Sequence, residues 1–357
     1  MASDSYAPQS ATRLLIVGTD QPGHMCRFLT AAARELGIEV QAMDIGPADA
    51  RTRLVRSLFW RLNGRRPARL GYFGARVAEK CASFRPHVVL TTGRAPLDSS
   101  HINALSGLGA KVINYSTDDP WNPTMRSQWF ISALPFYNTI FSPRRENFDD
   151  FRRCGVQSLH YLPFAYDKNV HRPWPIGEAP GDASDVLFVG GADADRRPLI
   201  SALIDAGLNL ALFGGYWNRY PESRNHWRGL ADQDTIRAAS ASAKVCLCLV
   251  RRANRDGHTM RSFEAAAIGG CILAEDTADH REIFGPEDYA VRYFKTISDM
   301  VHQAKALVAQ VETRRRLSDN LRERLAARND TYTDRLAAML QLTNTDASAT
   351  AALKLTN

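Results

Sequence analysis

One arrangement occurs twice in this chain and restricts its fold more than any other feature. Residues 13–17 (R-L-L-I-V) form a short apolar run that ends in G-T-D-Q-P-G-H, after which Phe28, Leu29, Ala32 and Leu36 recur at helical spacing. Residues 185–189 (D-V-L-F-V) behave alike, passing through G-G-A-D-A-D into R-R-P-L-I. An apolar run of this length bounded by turn residues reads as a buried strand. A strand that passes through glycines into an amphipathic helix opens a doubly wound domain with a parallel sheet. Further strand-like runs follow each opening, at 38–45, 87–91, 110–115, 138–142 and 158–162 and then at 208–213, 245–250, 271–274 and 290–294. The expected class is α/β.

A chain of 357 residues exceeds one ordinary core, and its 45% hydrophobic content is enough for two. The reading places an N-terminal domain at 1–165 and a C-terminal domain at 166–329, with a helix at about 330–341 returning to the first. Residues 163–182, with four prolines among scattered charges, read as the linker. Residues 1–11 are polar and read as unstructured, and the tail from 343 as polar and loose. Six cysteines without paired or metal-finger spacing point to a reducing compartment. The N-terminus lacks the pattern of a signal peptide and no apolar run reaches membrane-spanning length. A cytoplasmic protein is expected, at most peripheral at the inner face of the membrane.

Net charge is +7, and only seven of the 45 basic residues are lysine. Arginine is suited to phosphate oxygens, although genomic composition produces the same excess. Eight arginines fall between 51 and 80, interleaved with Leu54, Leu58, Phe59, Trp60, Leu62, Leu70, Tyr72 and Phe73. This segment reads as two helices with solvated arginine faces. The alternative is an amphipathic basic surface that meets anionic lipid or a lipid-linked acceptor.

The densest chemistry lies at 254–276 (N-R-D-G-H-T-M-R-S-F-E-A-A-A-I-G-G-C-I-L-A-E-D). It joins two strands through an acidic loop and a helix that Gly269 and Gly270 can stop. Asp256 lies in the loop and Glu264 in the first turns of the helix, whose N-terminus can receive an anion through the amides of His258, Thr259, Met260 and Arg261. Gly190 and Gly191 let backbone approach a phosphate, and Arg196 and Arg197 supply charge. Asp193-Ala194-Asp195 has the form of a metal-binding pair but reads as a turn and helix cap, because a metal would share the loop with two arginines. Asp118 and Asp119, in S-T-D-D-P-W-N-P at the end of a strand, can hold or deprotonate a hydroxyl; an ordinary turn is the competing reading. Gly23 and His24 follow the first strand, where His24 either lines a cleft or caps the helix. The glycines there do not match a dinucleotide or P-loop fingerprint.

Four stretches in this order resemble one family: 116–123 (S-T-D-D-P-W-N-P), 135–143 with 160–167 (P-F-Y-N-T-I-F-S-P and H-Y-L-P-F-A-Y-D), 185–191 with 196–200, and 261–277. From about residue 13 to 341 the chain is similar to the group-1 glycosyltransferase-like proteins of the CgeB-type, spore-maturation branch. The resemblance implies the GT-B architecture, two facing Rossmann-like domains with parallel sheets and a cleft between them. It implies transfer of a sugar from an activated, nucleotide diphosphate donor to a hydroxyl of a glycan, a lipid-linked acceptor or a small molecule. The donor is held by the C-terminal domain and the acceptor by the N-terminal one, in cell-surface or secondary glycan synthesis. Retaining chemistry is implied, with the nucleotide sugar as substrate and neither metal nor cofactor. The family's acid, seven residues, glutamate pattern falls on Asp256 and Glu264, with a shorter first acid than usual; Glu264 takes the ribose-binding role. The family's diphosphate-gripping arginine and lysine correspond to Gly191 and Arg196, so one cation is missing, which Arg197 or Arg261 can replace. The alternatives are a non-nucleotide phosphosugar donor, a sugar-nucleotide epimerase, a non-catalytic donor-binding homologue and a basic binding protein acting on nucleic acid or membrane through 51–80. Nucleic acid is not the expected partner.

Overall fold

The computed structural model describes residues 12–50, 52–175 and 184–355. Residues 1–11, Arg51 and the part of the proline-rich stretch from 176 to 182 lie outside the described residues, as do the side chains of Arg53, Leu58 and residues from 346 onward. The chain is α/β and divides into two compact units, one running through Leu162 and resuming at Thr333, the other Pro163–Tyr332.

The first unit is built on β1 (Arg13–Gly18), β2 (Glu39–Asp44), β3 (Val88–Thr92), β4 (Lys111–Tyr115), β5 (Thr139–Ser142) and β6 (Leu159–Tyr161). They form a parallel sheet in the order β2-β1-β3-β4-β5-β6. β3 and all of β1 beyond Arg13 and before Gly18 are buried, which is why they read as unbroken apolar runs rather than as alternating ones. A Cβ on Gly18 would lie 2.1 Å from Thr92 Oγ1, so close packing of β1 on β3 accounts for that glycine. Arginine-rich residues form helices Arg53–Leu62 and Leu70–Phe84. The last helix, Tyr332–Leu355, runs past the point where a loose tail was expected. Lys111 Nζ reaches Thr343 O at 3.3 Å and Asn344 Oδ1 at 3.2 Å, and no glycine or proline follows residue 332 to stop the helix.

The second unit contains β7 (Val186–Val189), β8 (Leu210–Phe213), β9 (Trp227–Gly229), β10 (Val245–Cys248), β11 (Ile272–Glu275) and β12 (Arg292–Phe294), in the parallel order β12-β11-β10-β7-β8-β9. β9 has no signature in the sequence: it is three residues long and its pairing with β8 shifts register between Leu212 and Phe213. The ends of this unit meet where Tyr332 N donates to Tyr166 O at 3.0 Å. Among the described residues no helix is long and apolar enough to cross a membrane. All six cysteines are free thiols. Burial pushes the thiols of Cys26, Cys248 and Cys271 up to about 12, so they behave as small hydrophobes.

Candidate functional site

In the second sheet β7 leads outward to β8 while its other neighbour, β10, leads the opposite way to β11. Ligands of open parallel sheets bind beyond the strand ends where the order reverses in this way. The residues leaving β7 and β10 therefore define the candidate site.

Gly190 and Gly191 leave β7. Gly190 O accepts from Trp217 Nε1 at 2.7 Å, and a Cβ on Gly214, beyond β8, would lie 2.4 Å from that same carbonyl. With a φ of 131°, Gly214 is in a region closed to other residues, so two glycine loops touch through their backbones.

Helix Arg196–Asp205 follows. Asp193 Oδ1 accepts from the amides of Asp195 at 3.1 Å and Arg196 at 2.9 Å, which makes the first acid of the D-x-D a cap for the helix start. Arg196 folds back over the Phe188 ring at 5.5 Å, with Nη1 3.3 Å from Gly191 O and 3.6 Å from Asp193 Oδ2. Its Nε is buried without a hydrogen-bond partner. Burial pulls this guanidinium below its ordinary pKa; Asp193, Asp256 and Glu275 oppose that shift and Arg251 adds to it. Arg196 and Asp256 thus lie within electrostatic reach of each other. Arg197 is turned to a different partner, Glu222 Oε1 at 2.6 Å, with Tyr220 beneath it. A charge already paired there is a poorer substitute for the missing cation.

The loop leaving β10 is tied to the segment that follows β11. Glu275 accepts from Val250 N at 2.6 Å and pairs with Arg252 at 3.2 Å, while burial raises its pKa. A Cβ on Gly257 would lie 2.4 Å from Asp279 Oδ2, so only glycine passes there. His258 is buried, with Nδ1 3.1 Å from Asp279 Oδ2 and Nε2 accepting from Phe164 N at 3.1 Å. Because a peptide N–H can only donate, Nε2 is bare and the proton sits on Nδ1. The His258 side chain is a strut and leaves only its backbone to face the loop. Asp256 is half-buried, and Arg255 before it is left-handed, at a φ of 54°.

Thr259 begins helix Met260–Ile268 with no side-chain cap bond; its hydroxyl lies 3.3 Å from Ser262 Oγ. Met260 and Arg261 are half-buried. Glu264 is 1% exposed. Arg261 Nη1 holds its Oε2, whereas Oε1 has no hydrogen-bond partner. Both residues line a small pocket with Leu187, Val189 and Ile236 beside β7 and β10. The ring of His171, also buried, approaches Glu264 Oε1 to 3.7 Å and Gln233 Oε1 to 3.2 Å through Nε2. Its Nδ1 accepts from Asp167 N at 3.0 Å, so Nε2 carries the proton. His171 falls in the stretch 163–182 that the sequence reads as linker. The clue was local: in D-K-N-V-H, Asp167 Oδ1 accepts from the amides of Asn169 and Val170, an acid-led turn that returns the histidine to its own start.

In the first unit Asp119 is buried and accepts from Trp121 N at 3.1 Å, an aspartate turn, whereas Asp118 is half-buried and acts electrostatically on Arg94. Buried Arg144, which sequence reading missed, holds this loop from behind through Ser116 O at 3.1 Å and Thr117 O at 2.7 Å. Gly23 is left-handed, at a φ of 80°, and the exposed His24 starts helix Met25–Glu35 without a side-chain cap bond. Gly190, Gly191, Arg196, Asp256, Arg261 and Glu264 belong to the second unit; Gly23, His24, Asp118 and Asp119 belong to the first.

A family model described as "Glycosyl transferase-like" matches residues 196–341, from the arginine pair through the β10 and β11 loops to the last helix. Solved structures resemble the chain nearly end to end. Sucrose-phosphate synthase from Thermosynechococcus elongatus matches with a TM-score of 0.68 at 14% identity, covering 95% of this chain and 100% of that one. HepE from Anabaena, in complex with UDP, matches with a TM-score of 0.61 at 10% identity, covering 94% and 100%. A UDP-N-acetylglucosamine 2-epimerase from Listeria monocytogenes matches with a TM-score of 0.52 at 13% identity, covering 92% and 94%. The fold is that of the GT-B glycosyltransferases. No curated protein sequence matches the chain.

Proposed function

We propose that this protein is a retaining, metal-independent glycosyltransferase that moves a sugar from a nucleotide diphosphate donor to a hydroxyl acceptor. Glu264 carries the reading. A carboxylate buried near a helix start beside the reversal point, with one oxygen held by Arg261 and the other without a hydrogen-bond partner, leaves an acceptor unsatisfied at a cost of about 1–3 kcal/mol. A donor's ribose hydroxyl would satisfy it. The UDP carried by the Anabaena protein of like fold agrees with such a donor. The sequence resemblance to the CgeB-type branch supports the finer assignment.

In the proposed reaction the bond from the anomeric carbon to the phosphate oxygen breaks with its electron pair passing to the diphosphate. The acceptor oxygen bonds to that carbon on the same face and gives up its proton to the departing phosphate. Negative charge grows on the leaving group, so stabilisation must come from positive charge fixed in advance. Arg196 supplies it together with the amides at the start of helix Met260–Ile268, and Gly190 and Gly191 allow backbone to come close. Asp256 is assigned to the donor sugar and Asp118 to the acceptor hydroxyl.

The test is calorimetry of the matching nucleoside diphosphate with Glu264→Gln. Loss of the second acceptor oxygen is expected to weaken binding at least tenfold with a melting temperature near that of wild type. Undiminished binding with reduced stability would mean that the carboxylate serves the helix alone. The fold is shared with an epimerase, which needs no acceptor. Product analysis with the donor alone separates the two: an epimerised sugar nucleotide formed without acceptor would replace the transferase reading.

A further inference from the structure

Helix Arg53–Leu62 exposes several large apolar residues. Leu54 is 85% exposed and Leu62 77%, with Val55 and Phe59 also exposed. At helical spacing these four lie on one side, and Arg56 and Arg61, both exposed, lie at its two borders. Trp60 lies on the opposite side, where the Arg94 guanidinium covers its ring at 5.3 Å. The helix is thus held to its unit by the side that carries Trp60, while Leu54 and Leu62 on the other side stand mostly in solvent.

A single exposed leucine needs no explanation, but a contiguous apolar side with a charged border does. The charges identify the partner. Between 51 and 80 there are eight arginines and one acid, Glu79. Arg66 is paired with Asp98 and Arg76 with Glu79, whereas Arg56 and Arg61 make no ion pair among the described residues. Arginines along both borders of an apolar stripe suit a helix lying flat in a lipid interface. There the stripe sinks to the level of the acyl chains and the guanidinium groups reach up to phosphates.

We propose that helix Arg53–Leu62 docks this protein on an anionic phospholipid surface, with Leu54, Val55, Phe59 and Leu62 inserted and Arg56 and Arg61 on lipid phosphates. The inference stands apart from the transfer reaction and needs neither donor nor acceptor. Sedimentation of the full chain with vesicles of phosphatidylcholine, with and without phosphatidylglycerol, tests it. Binding is expected to the mixed vesicles alone and to weaken with salt. Arg56→Gln with Arg61→Gln should lower partitioning about thirtyfold, from about 1 kcal/mol for each arginine near the surface. Leu54→Ser with Leu62→Ser should remove it, and Arg315→Gln with Arg322→Gln, exposed arginines elsewhere, should leave it unchanged. Three results would overturn the proposal. One is no binding to mixed vesicles, and another is equal loss in the Arg315 and Arg322 control. The third is a wild-type dimer in velocity sedimentation that the leucine variant converts to monomer, because a second copy would then cover the face.

Discussion

Arg196 combines features that a leaving-group cation requires. Its guanidinium is mostly buried, it is steered by Phe188 and Asp193 rather than locked in a strong ion pair, and it feels Asp256. Preorganised charge of this kind is worth about 3 kcal/mol in the transition state, so Arg196→Ala is expected to lower turnover a hundredfold or more. The melting temperature should hardly move, and undiminished transfer would remove Arg196 from the reaction. Arg196 and Glu264 stand out in the sequence as candidates because each follows a strand near a helix start, a position set by local pattern. The opposite fates of neighbours Arg196 and Arg197 were not legible. Which of two adjacent arginines meets Glu222 depends on a segment 25 residues away.

At the scale of elements, the loop after β10 owes its shape to the segment after β11. His280, in helix Ala278–Phe284, is fully buried, with Nδ1 2.8 Å from Glu275 O and Nε2 3.0 Å from Ser262 Oγ. It therefore joins its own helix to β11 and to helix Met260–Ile268. Burial lowers its pKa to about 4; the Glu275 carbonyl opposes this, nearby His258 adds to it, and Asp279 and Asp276 oppose it. The folded value lies below the unfolded one of about 6.5. The stabilisation is therefore complete above that pH and drains away as pH falls to about 4, about 3 kcal/mol in all. Chemical denaturation at pH 7 and pH 4.5 should show wild type losing about 2 kcal/mol more stability than His280→Gln, whose amide oxygen still accepts from Ser262. Equal losses would mean that His280 titrates normally. The sequence showed the T-A-D-H-R-E-I-F segment but not its use, since Asp279, Thr277 and His280 face the loop only once β11 lies beside β10.

At the scale of the whole chain, donor binding should appear as stabilisation. One nucleoside diphosphate among UDP, GDP, dTDP and ADP, at a hundred times its Kd, adds about 2.7 kcal/mol, or roughly 5 °C or more in melting temperature. A uniform response to all four, or to none, would contradict a base-selective donor site. The α/β class was determined by the sequence alone. Buried parallel strands must be short unbroken apolar runs, and the turn after each needs glycine or polar residues whatever the rest of the chain does. The glycines and acids of 190–196 and 254–264 were marked for the same local reason. Only the tertiary structure decided strand order, and with it the reversal between β7 and β10 that makes two loops distant in sequence leave neighbouring strands. It likewise decided that His258 is a strut, that His171 approaches Glu264, and that Leu54 and Leu62 stay exposed. Each of these depends on which distant residue occupies the neighbouring space, and periodicity along the chain carries no information about that.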